Sequence, residues 1–397
     1  MGRSVKVKLN NPSLLTWARE SAGYGLGEIA GYLGKSVEDV HAWETGSDAP
    51  TYRQLQKFAR KVHRPVAALF LPEVPGEPPP PEDLRMVPGP RRGDFTPEAR
   101  LAFRELRNSM AELRALLDDL HRLLGLSLPS WPGPHEPAAP RAVHLRELLG
   151  VTVEAQMGWR DEYQALNEWR DVLFDVGVLV QAFQVSVETV RAFSELGYGL
   201  GGVGISSKDS PRGRIFSVFH EVAHLCLRMP GVSGRVLRRA TGERAATIEP
   251  YCDGFAAAFL LPAADPHVSA AVDGLGRNFT LERARRCARQ FHVSKYVVAR
   301  RLFDLGKIEP DRYWTEIDAW GAEDARIAAA DARRRREQER DSGPSHVTLR
   351  VNQAGKRYVA TVMEALQGGL LTTHEAAKVL SLRPESLADA QAIAFSA

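Results

Sequence analysis

Cysteine is scarce in this chain: Cys226, Cys252 and Cys287 are the only three among 397 residues. Their spacings match neither a zinc knuckle nor a disulfide framework, so crosslinks do not build the fold, and three free thiols suit a reducing compartment. Each is read as a small core or surface residue. Long apolar runs are lacking too. No window approaches the ~18 apolar residues of a membrane span, and the opening MGRSVKVKLNNPSLL holds no stretch of the length a secretion signal needs. The expectation is a cytoplasmic protein with no membrane association. Nor is there an excess of one charge: 52 Lys+Arg stand against 49 Asp+Glu, a formal +3. Any basic patch must therefore be local. With 44% hydrophobic and 25% charged residues, collagen-like and wholly disordered readings are excluded. The length corresponds to two or three domains at roughly 150 residues each.

Proline divides the chain. Residues 72–97 (PEVPGEPPPPEDLRMVPGPRRGDFTP) and 129–140 (PSWPGPHEPAAP) are too proline-rich for helix or central strand and are read as linkers. Between them, over 98–128, Ala99, Phe103, Leu106, Met110, Leu113, Leu117, Leu120 and Leu124 recur in steps of four and three, a heptad seam on one long helix. The seam needs a partner, which is either a neighbouring part of the same chain or a second copy in a coiled-coil dimer. Tyr163, Leu166, Trp169 and Leu173 keep helical spacing. Val178, Leu179, Val180, Ala182 and Phe183 predict a strand, with a second short one at 202–206. The alternation of Val347, Leu349 and Val351 suggests another. Thr372 and Glu375 are placed as a capping box; the stretch that contains them, LTTHEAAKVLSLRPESL, is helix-turn-helix-like but has no basic surface, and it is assigned a packing role. The mixed charge run at 333–342 is a solvated helix end or linker without assigned function.

Residues 13–70 hold short apolar-periodic segments: Leu14 and Ala18; Leu26, Ile29, Ala30 and Leu33; Val40 and Trp43; Leu55, Phe58 and Ala59. Gly34 ends the second, Ser36 caps the next, and the three-residue turn between them is the geometry of a helix-turn-helix. Over about sixty residues this segment resembles the XRE family of repressor and Cro type, in which the helix after the turn reads the major groove. Lys35, Ser36, His41 and Arg53 are the candidate DNA contacts, with Arg3, Lys6 and Lys8 as a basic arm. Glu38 and Asp39 on the same helix oppose phosphate. A protein–protein or autoinhibitory module on this fold stays open beside double-stranded DNA.

Chemistry concentrates in residues 216–225, FSVFHEVAHL. His220 and His224, four apart on a helix, share a face and can bind one ion, with Glu221 beside them. Zinc in a catalytic site takes three protein ligands and leaves the fourth position open, so a third ligand must lie downstream. In IEPYCDGFAAAFLLP, Glu249 and Asp253 again stand four apart: Glu249 can ligate, and Asp253 can orient an imidazole from its far nitrogen. Cys226 falls on the far side of its helix and belongs to the core. His267 and Tyr251 are weak candidates for binding an oxyanion.

HExxH, then ExxxD, then Phe255-Ala256 and a closing Leu260-Leu261-Pro262 resemble the signature of the ImmA/IrrE family of metallo-endopeptidases. The likeness extends over roughly 160–315, including FHVSKYVVARRLFDLGKI. Asp253 stands where Asn is commoner, and Cys252 where Ala is. The resemblance implies Zn2+ held by His220, His224 and Glu249, Glu221 as general base, and a zincin-like domain. It also implies a helix-turn-helix repressor as substrate, cleaved to induce stress-response or mobile-element genes.

The expected fold is mainly α, in the α+β class: a helix-turn-helix domain (1–71), a linker (72–97), the heptad helix (98–128), a second linker (129–140), a peptidase domain with a small β-sheet (141–315) and a helical C-terminal region (316–397). The substrate is expected to lie extended along the edge of the 202–206 strand. The competing function is a DNA-binding regulator whose metal site is sensory or structural and cleaves nothing.

Overall fold

The computed structural model describes residues 5–83, 95–233, 243–276, 279–337 and 345–396. Its contacts divide the chain into two units, Met1–Pro80 with Pro90–Glu105, and Pro81–Gly89 with Leu106–Ala397.

In the first unit, side-chain caps set where helices begin. Four helices, α1 (Ser13–Ser21), α2 (Leu26–Leu33), α3 (Val37–Thr45) and α4 (Tyr52–Lys61), precede α5 (Pro97–Asp119), which runs on into the second unit. Ser36 Oγ accepts from Asp39 N at 3.1 Å and Thr51 Oγ1 from Gln54 N at 3.3 Å, each inside a reciprocal capping box. Leu15, Ala18, Ile29, Val40, Trp43, Leu55 and Phe58 form the core. Beside it Arg19 grips Glu44 through Nε at 2.7 Å and Nη2 at 2.9 Å, a buried two-point pair that joins α1 to α3.

The second unit is built on a sheet of β1 (Glu82–Asp83), β2 (Val178–Phe183), β3 (Ala192–Gly197), β4 (Leu200–Ser206) and β5 (Gly231–Ser233), in the order β1-β5-β3-β4-β2. β2 runs parallel to β4, and β3 antiparallel to both β4 and β5. Around it stand α6 (Ala138–Leu149), α7 (Val153–Gly158), α8 (Glu162–Asp175), α9 (Pro211–Cys226), α10 (Glu243–Leu260), α11 (Pro266–Gly276), α12 (Leu281–Gln290) and α13 (Lys295–Asp304). They are followed by α14 (Pro310–Glu337), α15 (His346–Ala354), α16 (Lys356–Gln367), α17 (Thr373–Val379) and α18 (Leu387–Ala394). The architecture is mainly α with one small sheet, as expected from the sequence. Every residue of β2 and β4 is buried, which accounts for strands lacking the alternation of a half-exposed sheet. Successive strand residues point to opposite faces. A Cβ on Gly201 would meet Leu225 of α9 at 3.0 Å, and one on Gly202 would meet Met110 of α5 at 2.4 Å. The glycines of β4 thus admit a helix closely on each side. Among the described residues no helix is long and apolar enough to cross a membrane.

Several expectations are corrected. The heptad helix stops at Asp119, leaving Leu120 and Leu124 beyond it. His121 turns left-handed (φ 54) and Arg122 N reaches back to Leu117 O at 2.8 Å, a closure that ends a helix. From Leu106 onward its seam is buried inside its own unit, Leu106 and Met110 against β4, so this stretch is covered without a second copy. The second proline block is partly helical, because Pro140 falls in the first turn of α6, where no backbone donor is missed. Residues 347–351 are helix, not strand: Ser345 caps α15 and Leu349 is exposed while Val351 is buried, so the alternation does not follow burial. The 202–206 strand exists within β4 but lies between β3 and β2, so both its edges are taken and no substrate strand can add there. The capping box of Thr372 and Glu375 starts α17 as expected. Arg3 and the side chains of 333–342 lie outside the described residues.

Candidate metal centre

α9 starts where Ser210 Oγ accepts from Gly213 N at 3.1 Å and Pro211 takes the first helical position, which has no donor to lose. From Val218 to Cys226 the helix is buried all round. It packs against α10, in which Pro250 follows Glu249 and leaves one backbone bond unmade. Glu249, Cys252 and Asp253, at i, i+3 and i+4, share one face of α10.

Two helices thus bring the expected residues together. His220 Nε2 and His224 Nε2 are 3.1 Å apart; Glu249 Oε2 lies 3.4 Å from the first and its Oε1 3.1 Å from the second. The far nitrogens are anchored, His220 Nδ1 at 2.9 Å from Asp253 Oδ1 and His224 Nδ1 at 3.1 Å from Met229 O. A carboxylate and a carbonyl only accept, so both Nδ1 atoms carry hydrogen and both Nε2 atoms turn lone pairs inward. Glu249 Oε1 is also buried, and no hydrogen-bond donor reaches it among the described residues. Lone pairs of three side chains therefore face one point inside the protein. That is unfavourable unless a cation or a proton sits among them.

A divalent metal fits. Two nitrogen ligands at tetrahedral angles around zinc are roughly 3.3 Å apart, close to the spacings found. Without metal, a proton takes its place. Burial opposes charge on His220, but the carboxylates of Glu249 and Asp253 outweigh it and raise its pKa well above the usual value. Burial likewise opposes charge on Glu249, yet His220 and His224 bring it down to about 2. Loading must then expel the His220 proton. At neutral pH we expect release of at least one proton per ion, measured by calorimetric titration in buffers of different ionisation enthalpy, and weaker uptake as the pH falls.

Glu221, fully buried, accepts Ser194 Oγ at 2.7 Å through Oε2. Ser194 lies on β3, a strand missed in the sequence, and its own Oγ takes Gly231 N of β5 at 3.4 Å. Arg300 on α13 was missed as well. Its Nη1 stands 3.5 Å from Asp253 Oδ2, and Nη2 donates to Pro250 O at 2.8 Å. The readable signal was its i,i+4 pair with Asp304.

Other candidates fall elsewhere. Tyr251, two residues from Glu249, is on another face and accepts from Arg141 Nη1 at 3.1 Å. His267 is exposed on α11, outside the buried cluster. Cys226 is buried, and burial pushes its thiol up to about 12. In the first unit Ser36 Oγ is spent on the cap of α3, and Lys35 pairs with Asp39 at 3.7 Å. Lys6 pairs with Asp48, whereas Lys8, His41 and Arg53 are exposed.

Residues 174–303 match the model of peptidase family M78, described as the IrrE N-terminal-like domain. The match spans His220, Glu221, His224, Glu249 and Asp253. It supports a metallopeptidase domain of zincin-like fold in this part of the chain. Comparison with curated proteins and with solved structures gives no match.

Proposed function

We propose that the chain is a zinc-dependent endopeptidase acting in transcriptional control, and that it cleaves a helix-turn-helix repressor to induce stress-response or mobile-element genes. The chemistry rests on one observation: His220 Nε2, His224 Nε2 and Glu249 converge within 3.1–3.4 Å as acceptors, with a buried carboxylate beside them. His220, His224 and Glu249 would hold Zn2+, whose borderline softness suits two imidazoles and a carboxylate. When bound it would supply Lewis acidity toward a peptide carbonyl.

The chain's own residues supply the rest. Glu221 takes a proton from the attacking water and returns one to the leaving nitrogen, the role of a general base that becomes an acid. Ser194 holds one oxygen of that carboxylate and so fixes its direction. Asp253 keeps His220 in the tautomer that presents Nε2, and Arg300 steadies Asp253 from the other side.

The repressor as substrate comes from the family likeness. It is supported by the helical first unit, in which α2, a three-residue turn and α3 follow in the order of an XRE-type domain. Under this reading Lys35, Ser36, His41 and Arg53 are the candidate contacts to double-stranded DNA. A regulator with a merely structural metal has no use for the buried Glu221.

The test is metal analysis of the purified protein followed by incubation with helix-turn-helix repressors encoded nearby. We expect zinc in the protein and discrete cleavage products that disappear with a chelator and return with Zn2+. Zinc-loaded protein that leaves every such repressor intact would overturn the peptidase reading.

A further inference from the structure

We propose that Cys252 is a fourth protein ligand of the metal, so that the loaded resting site is closed by sulfur. This deepens the metal reading above and rests on it. Cys252 sits between the two carboxylates that reach the imidazoles, three residues after Glu249 and immediately before Asp253. At helical spacing it shares their face of α10. Its Sγ and one nitrogen each of His220 and His224 all lie within 4.8 Å of one another, and all three residues are buried. Glu249 meets the same two imidazoles, its Oε2 3.4 Å from His220 Nε2 and its Oε1 3.1 Å from His224 Nε2. A free thiol is thus added to a group of converging acceptors.

The donor chemistry agrees with the placement. Zinc takes thiolate as readily as imidazole, and structural sites are closed by four such ligands where catalytic sites keep one position open. The sulfur gives up its proton on ligation. His220, His224, Glu249 and Cys252 would then hold the zinc, two imidazoles, a carboxylate and a thiolate filling its four positions. Neither of the other cysteines stands in such a place: Cys226 is on the far side of α9 from the imidazoles, and Cys287 is on α12. The consequence is a restrained site, in which each cleavage requires that the thiolate first withdraw, so the zinc-loaded wild type cleaves, but more slowly than an open site would.

Cobalt(II) in place of zinc tests this on the full chain, because thiolate ligation to cobalt produces a near-ultraviolet charge-transfer band separate from the visible ligand-field bands. We expect both in the wild type. In Cys252→Ala the charge-transfer band should vanish while the ligand-field bands persist, and affinity for the ion should fall by at least the roughly 10–100-fold that loss of an outer partner costs. Cleavage by the zinc-loaded variant should rise. If Cys252→Ala does not fold, the assignment is made by Cys226→Ala and Cys287→Ala, both of which should keep the band. Ligand-field bands without charge transfer in the wild type overturn the sulfur ligand and leave the three-ligand site standing. Absence of all cobalt bands, in the wild type and in His220→Ala alike, overturns the metal reading and this proposal together.

Discussion

Replacing Glu221 by Gln is expected to lower cleavage by about 10²–10⁴-fold, the range of a general base, equivalent to roughly 2.7–5.5 kcal/mol of barrier, while bound metal stays unchanged. The amide matches the carboxylate in size and keeps an oxygen for Ser194 Oγ, which donates at 2.7 Å. What it loses is the ability to take a proton. Glu221 is fully buried, so bulk water does not readily replace it as base. The metal should remain, because the converging acceptors come from His220, His224 and Glu249. Ser194→Ala should cost far less, as it leaves the base in place and removes only its orientation. Rates and metal content measured together decide the matter. A Glu221→Gln protein that holds zinc and cleaves at the parental rate would remove Glu221 from the chemistry, and a variant that loses zinc would make it a ligand instead.

The part of the centre legible in the sequence is the part written in local spacing. His220, His224, Glu249 and Asp253 lie on two helices, where four residues mean one turn and one face, and their convergence needed only that α9 and α10 pack. Cys252 obeyed the same rule. Its three-residue step from Glu249 was not followed because a buried cysteine is ordinarily core. Ser194 carried no such signal. β3 pairs with β4 as a local hairpin, but Ser194 reaches Glu221, 27 residues further along, only because that hairpin packs against α9, a contact distant in sequence. β4 itself is poor in strand formers, with Gly201, Gly202 and Gly204 in seven residues. Those glycines are explained by what lies on them: Met110 over Gly202, Leu225 under Gly201, and the Phe193 ring 2.2 Å from a Cβ placed on Gly204. The heptad seam was readable and its partner was not, since periodicity shows that a face is buried and not against what. The false strand at 347–351 has a similar origin: three apolar residues in alternation weigh less than a Ser345 cap and burial of Val351 with Ala354.

Arg170→Met is expected to destabilise the second unit by about 3 kcal/mol, since it removes the donor from several buried acceptors at once. Arg170 is buried on α8. Its Nε and Nη2 donate to Val180 O at 3.1 and 2.7 Å, Nη1 to Asn352 O at 2.6 Å and Nη2 to Gln353 O at 3.1 Å. Val180 belongs to β2, while Asn352 and Gln353 are in the last turn of α15, where helix carbonyls lack partners of their own. One guanidinium therefore ties a helix, an edge strand and the end of a second helix. Burial lowers its pKa to about 10, which still leaves it charged at neutral pH, and the negative end of α15 helps to hold the charge there. Methionine fills the stem's volume and avoids burying a cation, a gain that offsets part of the loss. Three carbonyls are nevertheless left without their donor. Arg170→Lys should recover only part of the stability, because an ammonium cannot span acceptors arranged for a planar fork. Urea titration gives the loss, and hydrogen exchange locates it: amides of α15 should open first while those of α9 stay protected, and cleavage below the melting range should be nearly unchanged. A change under 1 kcal/mol would show that water or a neighbour satisfies these carbonyls as well as the arginine does.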